Sequence, residues 1–212
     1  RDAAPTEESL TLGIVTMIPK NIKKWIRVSD EAIAMGGETL VRYIYDELTY
    51  QIVKKLTALV IADIAGAPTS ATSSAASVAA ITQNPALTTV ATAFANLSDE
   101  AQNPVIIMNK LTYASFIGAQ AGGTFSFDPF NGLNVLFSSA LPAYTSASTN
   151  QVYAIVGDLA GVQVNYPEGE GIAIKYDDLS EAESDLVKIV GRQYAAHALT
   201  ACGMFCVIKK SA

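Results

Sequence analysis

Apolar residues recur at every fourth position over a long stretch in the first third of the chain. The repeat has seven members and predicts a helix from Glu38 to about Ala65, roughly 40 Å long at 1.5 Å per residue. Because a helix has 3.6 residues per turn, this repeat drifts around the axis, so we expect it to contact apolar partners along changing faces. Gly66 and Pro68 predict its end. The members are Leu40, Ile44, Leu48, Ile52, Leu56, Val60 and Ile64.

The residues before this helix have strand character. "LTLGIVTMIPK" predicts a β-rich segment that Pro19 ends. In "NIKKWIRVS", the apolar residues Ile22, Ile26 and Val28 stand at even intervals, which is the spacing of side chains on one face of a strand. We therefore predict an extended segment that leads into the helical region.

A capping pattern connects this segment to the long helix. Ser29 is a good N-cap, and Asp30 and Glu31 follow in the first turn, where the positive end of a helix favours carboxylates. Gly36 and Gly37 predict a break before the long helix begins. The stretch is thus a cap, a short helix, a bend and a long helix.

The rest of the chain mixes helices and strands. We predict a linker over 67–80, a helix from Asn84 to about Leu97, and a short helix capped by Asn109. Strands are predicted at "PVIIMN", "LNVLFSS" and "FCVIKK", and two more in "VYAIVGDLAGVQVNY". The segment "EGIAIKYDDLSEAESDLVKIVGRQYAAHAL" predicts a long hairpin with an acidic turn over 177–184. No internal repeat occurs. The fold class is therefore α+β.

Composition and charge exclude several classes of function. Half of the 212 residues are hydrophobic and 16% are charged, which favours a large buried core. A net charge of −6 disfavours tight nucleic-acid binding, and the only basic run is Lys20 to Arg27. No stretch has the roughly 20 apolar residues that a membrane-spanning helix needs. Since residue 1 is Arg, we expect further sequence before it.

The two cysteines, Cys202 and Cys206, are best explained as buried apolar residues. A disulfide within one strand is excluded because four extended residues span roughly 13 Å. A metal site is disfavoured because His197 is the only histidine and lies five residues before Cys202. We predict that Cys202, Met204 and Cys206 line one buried face of a strand, in a protein from a reducing compartment.

Residues with catalytic potential are present but isolated. His197 could act only as the base of a triad, and no serine stands in a G-x-S-x-G turn. Gly157 and Asp158 end a strand, where an α/β enzyme can place an acid, although a tight turn explains them more simply. Four acidic pairs have structural explanations as caps, helix faces or turns: Asp30/Glu31, Asp46/Glu47, Asp99/Glu100 and Asp177/Asp178. We therefore assign no catalytic, cofactor-binding or metal-binding residue, and no cofactor.

Taken together, the ordered segments resemble the major capsid proteins of tailed phages, which have the Hong Kong 97 fold. "WIRVSDEAI" resembles the start of the family's spine helix, and "LVRYIYDELTYQIVKKLTALVIADIAG" resembles that helix itself. "NPVIIMNKLTYASF", "FNGLNVLFSSALPA", "YAIVGDLAGVQV" and "DLVKIVGRQYAAHALTACGMFCVIK" resemble later strands of the family in the same order. No motif assigns a crosslinking lysine or asparagine.

The resemblance implies three parts and a structural role. Residues 1–27 would be the remnant of an extended loop, 28–66 and 171–200 a peripheral domain, and 67–170 and 201–212 an axial domain. The protein would form homo-oligomeric capsomers, both pentamers and hexamers, in an icosahedral virion shell assembled in a bacterial cytoplasm. Its implied partners are a scaffolding protein, a maturation protease and DNA enclosed without sequence-specific binding. The alternatives are an encapsulin-type compartment shell and, of another class, a small α/β hydrolase or transferase that uses Asp158 or His197.

Overall fold

The structure, a computed structural model, describes residues 14–72, 74, 76–121, 128–130, 132–167, 171–179 and 182–212. Its helices are α1 (Asp30–Gly66), α2 (Thr89–Ala95) and α3 (Lys110–Ala121). Its strands are β1 (Lys20–Ser29), β2 (Thr69–Ser70), β3 (Val78–Thr82), β4 (Val105–Met108), β5 (Asn134–Phe137), β6 (Val152–Gly157), β7 (Val162–Asn165), β8 (Ala173–Asp177), β9 (Leu186–Leu199) and β10 (Phe205–Lys209). Short 3₁₀ turns lie at Leu159–Gly161, Ala182–Ser184 and Cys202–Met204.

The start and the bend of α1 follow the sequence prediction. The backbone N–H of Ala32 donates a hydrogen bond to Ser29 Oγ at 3.2 Å, so Ser29 is the N-cap. Gly37 interrupts the helix with φ 55° and ψ −153°, a backbone conformation that is essentially restricted to glycine. The predicted break is therefore confirmed as a kink, and α1 ends at Gly66 as expected.

The N-terminal half of α1 packs on a four-stranded antiparallel sheet. The long strand β9 pairs with β1 along ten residues, and with β8 and β7 along its other edge. Ile44 and Leu48 pack against Ile189 of β9, and Ile52 packs against Ile22 of β1. The predicted extended segment is therefore confirmed as β1, and its evenly spaced apolar residues form the side that faces α1.

The C-terminal end of α1 packs on a second, six-stranded sheet. The strand order is β2-β3-β10-β6-β4-β5, with parallel pairs at β2–β3, β3–β10 and β4–β5. Ile61 and Ile64 of α1 contact one face of this sheet, where Phe205 and Val207 are buried. Helices α2 and α3 cover the other face, where Val90 and Phe116 are buried among alternating strand residues. The sheet is thus the middle of three layers.

Three predicted element boundaries are wrong. Val78–Ala80, assigned to a linker, belong to β3, which pairs in parallel with β10. The helix predicted from Asn84 begins only at Thr89, because the Thr89 hydroxyl donates to the Asn84 carbonyl and accepts from Ala86 N–H, which stabilises a turn there. Residues 14–19 precede β1 and are not a strand, and residues 10–13 lie outside the described part.

Candidate functional site

His197, the one candidate base, ties β9 to α1. Its Nδ1 lies 2.5 Å from Oδ2 of Asp63, and its side chain is only 3% exposed. Its Nε2 is buried and has no hydrogen-bond partner among the described residues. A general base needs a nucleophile or water within hydrogen-bond reach of its free nitrogen. The geometry therefore supports a structural tie between helix and sheet.

Asp158 organises the turn that follows β6. Its carboxylate accepts hydrogen bonds from the backbone N–H of Ala160 and of Asn103, each at 3.0 Å. These bonds lower the pKa of Asp158 below its ordinary value, since they stabilise the ionised form. The bond to Asn103 also fixes the segment that leads into β4. Asp158 is thus a positioning residue of the fold, in a hydrogen-bond network separate from that of His197.

The two cysteines occupy different environments. Cys206 is buried in β10, and burial raises the pKa of its thiol to about 12. Cys202 is half-buried in the 3₁₀ turn Cys202–Met204, so the prediction that both cysteines and Met204 share one strand face is wrong. The carbonyl oxygen of Gly203 accepts a hydrogen bond from the backbone N–H of Ser98 at 3.0 Å, which connects the turn to the segment after α2. Both thiols are free.

The acidic pairs lie on different elements. Asp30 and Glu31 occupy the first turn of α1, as predicted. Asp46 and Glu47 lie further along α1, Asp99 and Glu100 follow α2, and Asp177 and Asp178 stand at the end of β8. Within the described ranges, no group of three or more His, Cys, Asp or Glu side chains could hold a metal ion. Among those same residues, no helix is long and apolar enough to cross a membrane.

An apolar groove lies beside α1. It has a volume of about 430 Å³ and lies between α1, β5 and β7. A second depression of about 450 Å³ continues it along α1 and shares Val53, Thr57, Phe137 and Ser138 with it. Large apolar side chains that are 37–59% exposed border these two depressions: Tyr50, Val53, Phe137, Leu159, Val164 and Tyr166. We call this surface the α1 groove.

The α1 groove is flanked by two sheet edges. Among the described residues, β5 ends the six-stranded sheet, and β7 pairs with β9 alone in the other sheet. An edge strand presents unpaired backbone N–H and C=O groups, which can pair with another chain. Apolar side chains and edge strands together are typical of protein–protein contact surfaces. The sequence analysis did not predict this surface, because the pattern does not separate buried from exposed apolar residues of α1. The available signal was that Tyr50 and Val53 lie outside the four-residue repeat.

Solved structures similar to this fold include capsids of a GTA particle and structures from phages. The capsid of an empty GTA particle matches with a TM-score of 0.70 and 12% identity, covering 100% of this chain and 81% of that one. The Gordonia phage Cozz structure matches with a TM-score of 0.57 and 16% identity, covering 100% and 79%. The Mycobacterium phage Bobi structure matches with a TM-score of 0.59 and 16% identity, covering 92% of this chain and 73% of that one. The class is therefore the α+β capsid fold of the Hong Kong 97 type.

The family assignment is direct. The model of the phage capsid family matches residues 1–210, so the chain belongs to that family. None of the curated proteins compared with the chain matches it. The protein is a structural subunit of a phage capsid, which forms oligomeric capsomers in the virion shell.

Proposed function

We propose that the protein assembles into pentamers and hexamers that close an icosahedral shell around phage DNA. Assembly takes place in the bacterial cytoplasm, with a scaffolding protein and a maturation protease as transient partners. The subunit performs no catalysis of its own. The observation that carries this proposal is the α1 groove, which presents exposed apolar side chains between two edge strands.

The α1 groove suits a subunit whose surface is completed by its neighbours. Val53 is 50% exposed and Phe137 is 49% exposed, and burying such side chains against another chain contributes about 25 cal/mol per Å² of apolar surface. Large contiguous apolar patches on a protein surface mark interaction sites. The groove therefore supports assembly through contacts between copies.

The two sheets support a division into two domains joined by α1. In this division, 28–66 and 171–200 form the peripheral domain, built on the four-stranded sheet. Residues 67–170 and 201–212 form the axial domain, built on the six-stranded sheet. We assign residues 1–27 to the remnant of an extended loop; among its described residues, Lys20 to Arg27 lie in β1 and pair with β9.

The charge of the protein suits enclosure of DNA without tight binding. The net charge of −6 repels a phosphate backbone over the chain as a whole. Packaged DNA must leave the shell again, so a weak interior contact favours release. This balance supports a shell that contains its DNA without reading its sequence.

Replacing Val53 with aspartate tests the role of the groove. Val53→Asp places a charge in the apolar groove and should abolish capsomer and shell formation, because burying an unpaired carboxylate is costly. The measurement is sedimentation velocity together with negative-stain electron microscopy of the full-length protein. Ala62→Asp is the matched control, because Ala62 is exposed and lies nine residues, and hence half a turn, from Val53 around α1.

The control separates the groove from a general effect of charge on α1. Ala62→Asp should assemble as the unchanged protein does. Equal assembly by Val53→Asp and the unchanged protein would show that the groove is not an interface. Shells that enclose a cargo enzyme, when expressed in the native host, would instead favour a protein compartment over a virion.

A further inference from the structure

The four-stranded sheet has a second face, turned away from α1, that is rich in cations. Side chains alternate between the two faces of a strand, and Ile22 and Ile189 face α1. Their neighbours in β1, β8 and β9 therefore point to the opposite face. We call this surface the basic–aromatic face, and its residues are Lys23, Trp25, Arg27, Lys175, Lys188, Arg192 and Tyr194.

Strand register brings these cations next to one another. Lys23 stands directly opposite Arg192, and Arg27 stands directly opposite Lys188. Like charges directly opposite each other in a sheet are destabilising. Asp177 of β8 stands opposite Lys188 on its other side and reduces the repulsion there, so the repulsion lies mainly between Lys23 and Arg192, where an anionic partner would relieve it.

An exposed aromatic residue of the edge strand β1 lies among the cations of the basic–aromatic face. Trp25 is 51% exposed, with Arg27 Cζ 4.8 Å and Lys188 Nζ 5.0 Å from its ring. Arg192 Cζ lies 6.0 Å from the ring of Tyr194. The cation–ring contacts hold the long side chains over the sheet. Trp, Tyr and Arg are also the residue types that contribute most to protein–protein binding.

The distribution of charge identifies the kind of partner. The face holds five of the 14 Lys and Arg residues but, on its strands, only Asp177 of the 20 Asp and Glu residues. Its net charge is thus +4, which leaves −10 for the rest of the chain. The rest of a second copy is therefore complementary to this face, whereas a polyanion such as DNA is repelled by most of the subunit.

We propose that the basic–aromatic face binds an acidic surface of a neighbouring copy of this chain in the shell. This inference rests on the proposed assembly function and names a surface through which it takes place. In the assembly Trp25 is covered, and Lys23, Lys175 and Arg192 are paired with carboxylates of the neighbour. Because the contact is electrostatic, assembly depends on ionic strength.

A double charge reversal tests this inference. Lys23→Glu with Lys175→Glu changes the charge of the face by four units at two exposed positions. Arg42→Glu with Lys55→Glu makes the same change on exposed positions of α1 and is the matched control. The measurement is the fraction of full-length protein assembled, by sedimentation velocity, at low and high salt. Trp25 is the only tryptophan, so its emission reports directly on the face.

The expected result is specific to the face. Assembly of the unchanged protein should shift Trp25 emission to the blue and reduce its quenching by acrylamide. The face variant should need at least about tenfold more protein to assemble, and the control less than about twofold more. Raising salt to about 0.5 M should reduce the assembled fraction of the unchanged protein more than that of the face variant.

Three results would overturn the inference, and they are distinguishable. Shells of the face variant that form as readily as those of the unchanged protein would remove the inference and leave the proposed function intact. Duplex DNA that binds the unchanged protein but not the face variant, with assembly unaffected, would make DNA the occupant. Absence of assembly by the unchanged protein would overturn the proposed function, and the inference with it.

Discussion

At the scale of single residues, Gly157 shows how tightly the six-stranded sheet is packed. A Cβ atom at this position would lie 2.6 Å from the carbonyl oxygen of Met204 and would also clash with the ring of Phe205. Gly157→Ala should therefore lower the free energy of unfolding by about 1–3 kcal/mol, as overpacking does in other cores. Urea unfolding followed by circular dichroism measures the change.

Gly118 supplies the control for this substitution. It lies on the exposed side of α3, and a Cβ atom there would meet nothing within 4 Å. Gly118→Ala should raise the free energy of unfolding by up to about 1 kcal/mol, because alanine restricts the unfolded chain and favours the helix. Equal effects of the two substitutions would contradict the close packing at Gly157.

Asp158 should make stability depend on pH. Because backbone N–H groups lower the pKa of its carboxyl in the folded state, its contribution is present above the unfolded pKa, near 4, and is lost as pH falls through the folded value. Asp158→Asn should therefore be less stable than the unchanged protein by about 1–2 kcal/mol at pH 7. Unfolding curves at pH 7 and pH 3 should show this difference shrinking, whereas a difference independent of pH would contradict the argument.

From the sequence alone, the role of a single residue could be predicted better than the residue that it contacts. The pattern gave reasons to treat His197 as structural, but it could not indicate Asp63, which is 134 positions earlier and meets it only when α1 packs on β9. Cys202 and Met204 alternate with Cys206 as in a strand, yet the chain turns at Gly203 before β10 begins. Such a turn depends on what lies beside it, which a local pattern does not contain.

At the scale of elements, α1 has one buried side and one side available to neighbours. Ile52 is fully buried against β1 and β9, and the adjacent Val53 is 50% exposed in the α1 groove. Ile52→Ala should lower the free energy of unfolding by about 2–5 kcal/mol, since it leaves a cavity. Val53→Ala should change it by less than about 0.5 kcal/mol.

Assembly should respond to the same two substitutions in a different way. At a temperature where both variants are folded, Val53→Ala should weaken capsomer formation in sedimentation experiments, because it removes apolar surface from the groove. Ile52→Ala should affect assembly only through stability. A Val53→Ala protein that is unstable as a monomer would show that this side of α1 belongs to the core.

The helix α1 was predictable because its signal is long and periodic, whereas the short elements were not. Seven apolar residues at a fixed spacing define α1, and of these Ile44, Leu48, Ile52, Leu56 and Ile64 are buried. β3 has only five residues and follows a stretch rich in Ser and Ala, so its strand state is decided by pairing with β10. Pairing partners so distant in sequence leave no local signal.

At the scale of the whole molecule, α1 joins two structural layers. Successive turns of the helix pack on the four-stranded sheet and then on the six-stranded sheet, through Ile44, Ile52 and Ile64 in turn. This is the changing contact face that a four-residue repeat predicts. Because α1 packs on both sheets, it fixes their relative position within one subunit.

The surfaces of the molecule were the least predictable feature. The sequence shows one basic run, Lys20 to Arg27, but the basic–aromatic face also takes Lys175, Lys188 and Arg192 from strands about 150 residues further on. Only the register of β1, β8 and β9 brings these cations together. The net charge of the chain is negative, so composition alone does not indicate a basic surface.

The central claim is that this protein builds a closed shell, and imaging its assemblies tests it most directly. The full-length protein, expressed in bacteria alone or with a scaffolding protein, should be imaged by cryo-electron microscopy. We expect closed particles made of rings of five and six subunits, whose density accommodates α1 and both sheets. Dispersed monomers under all of these conditions would contradict the account.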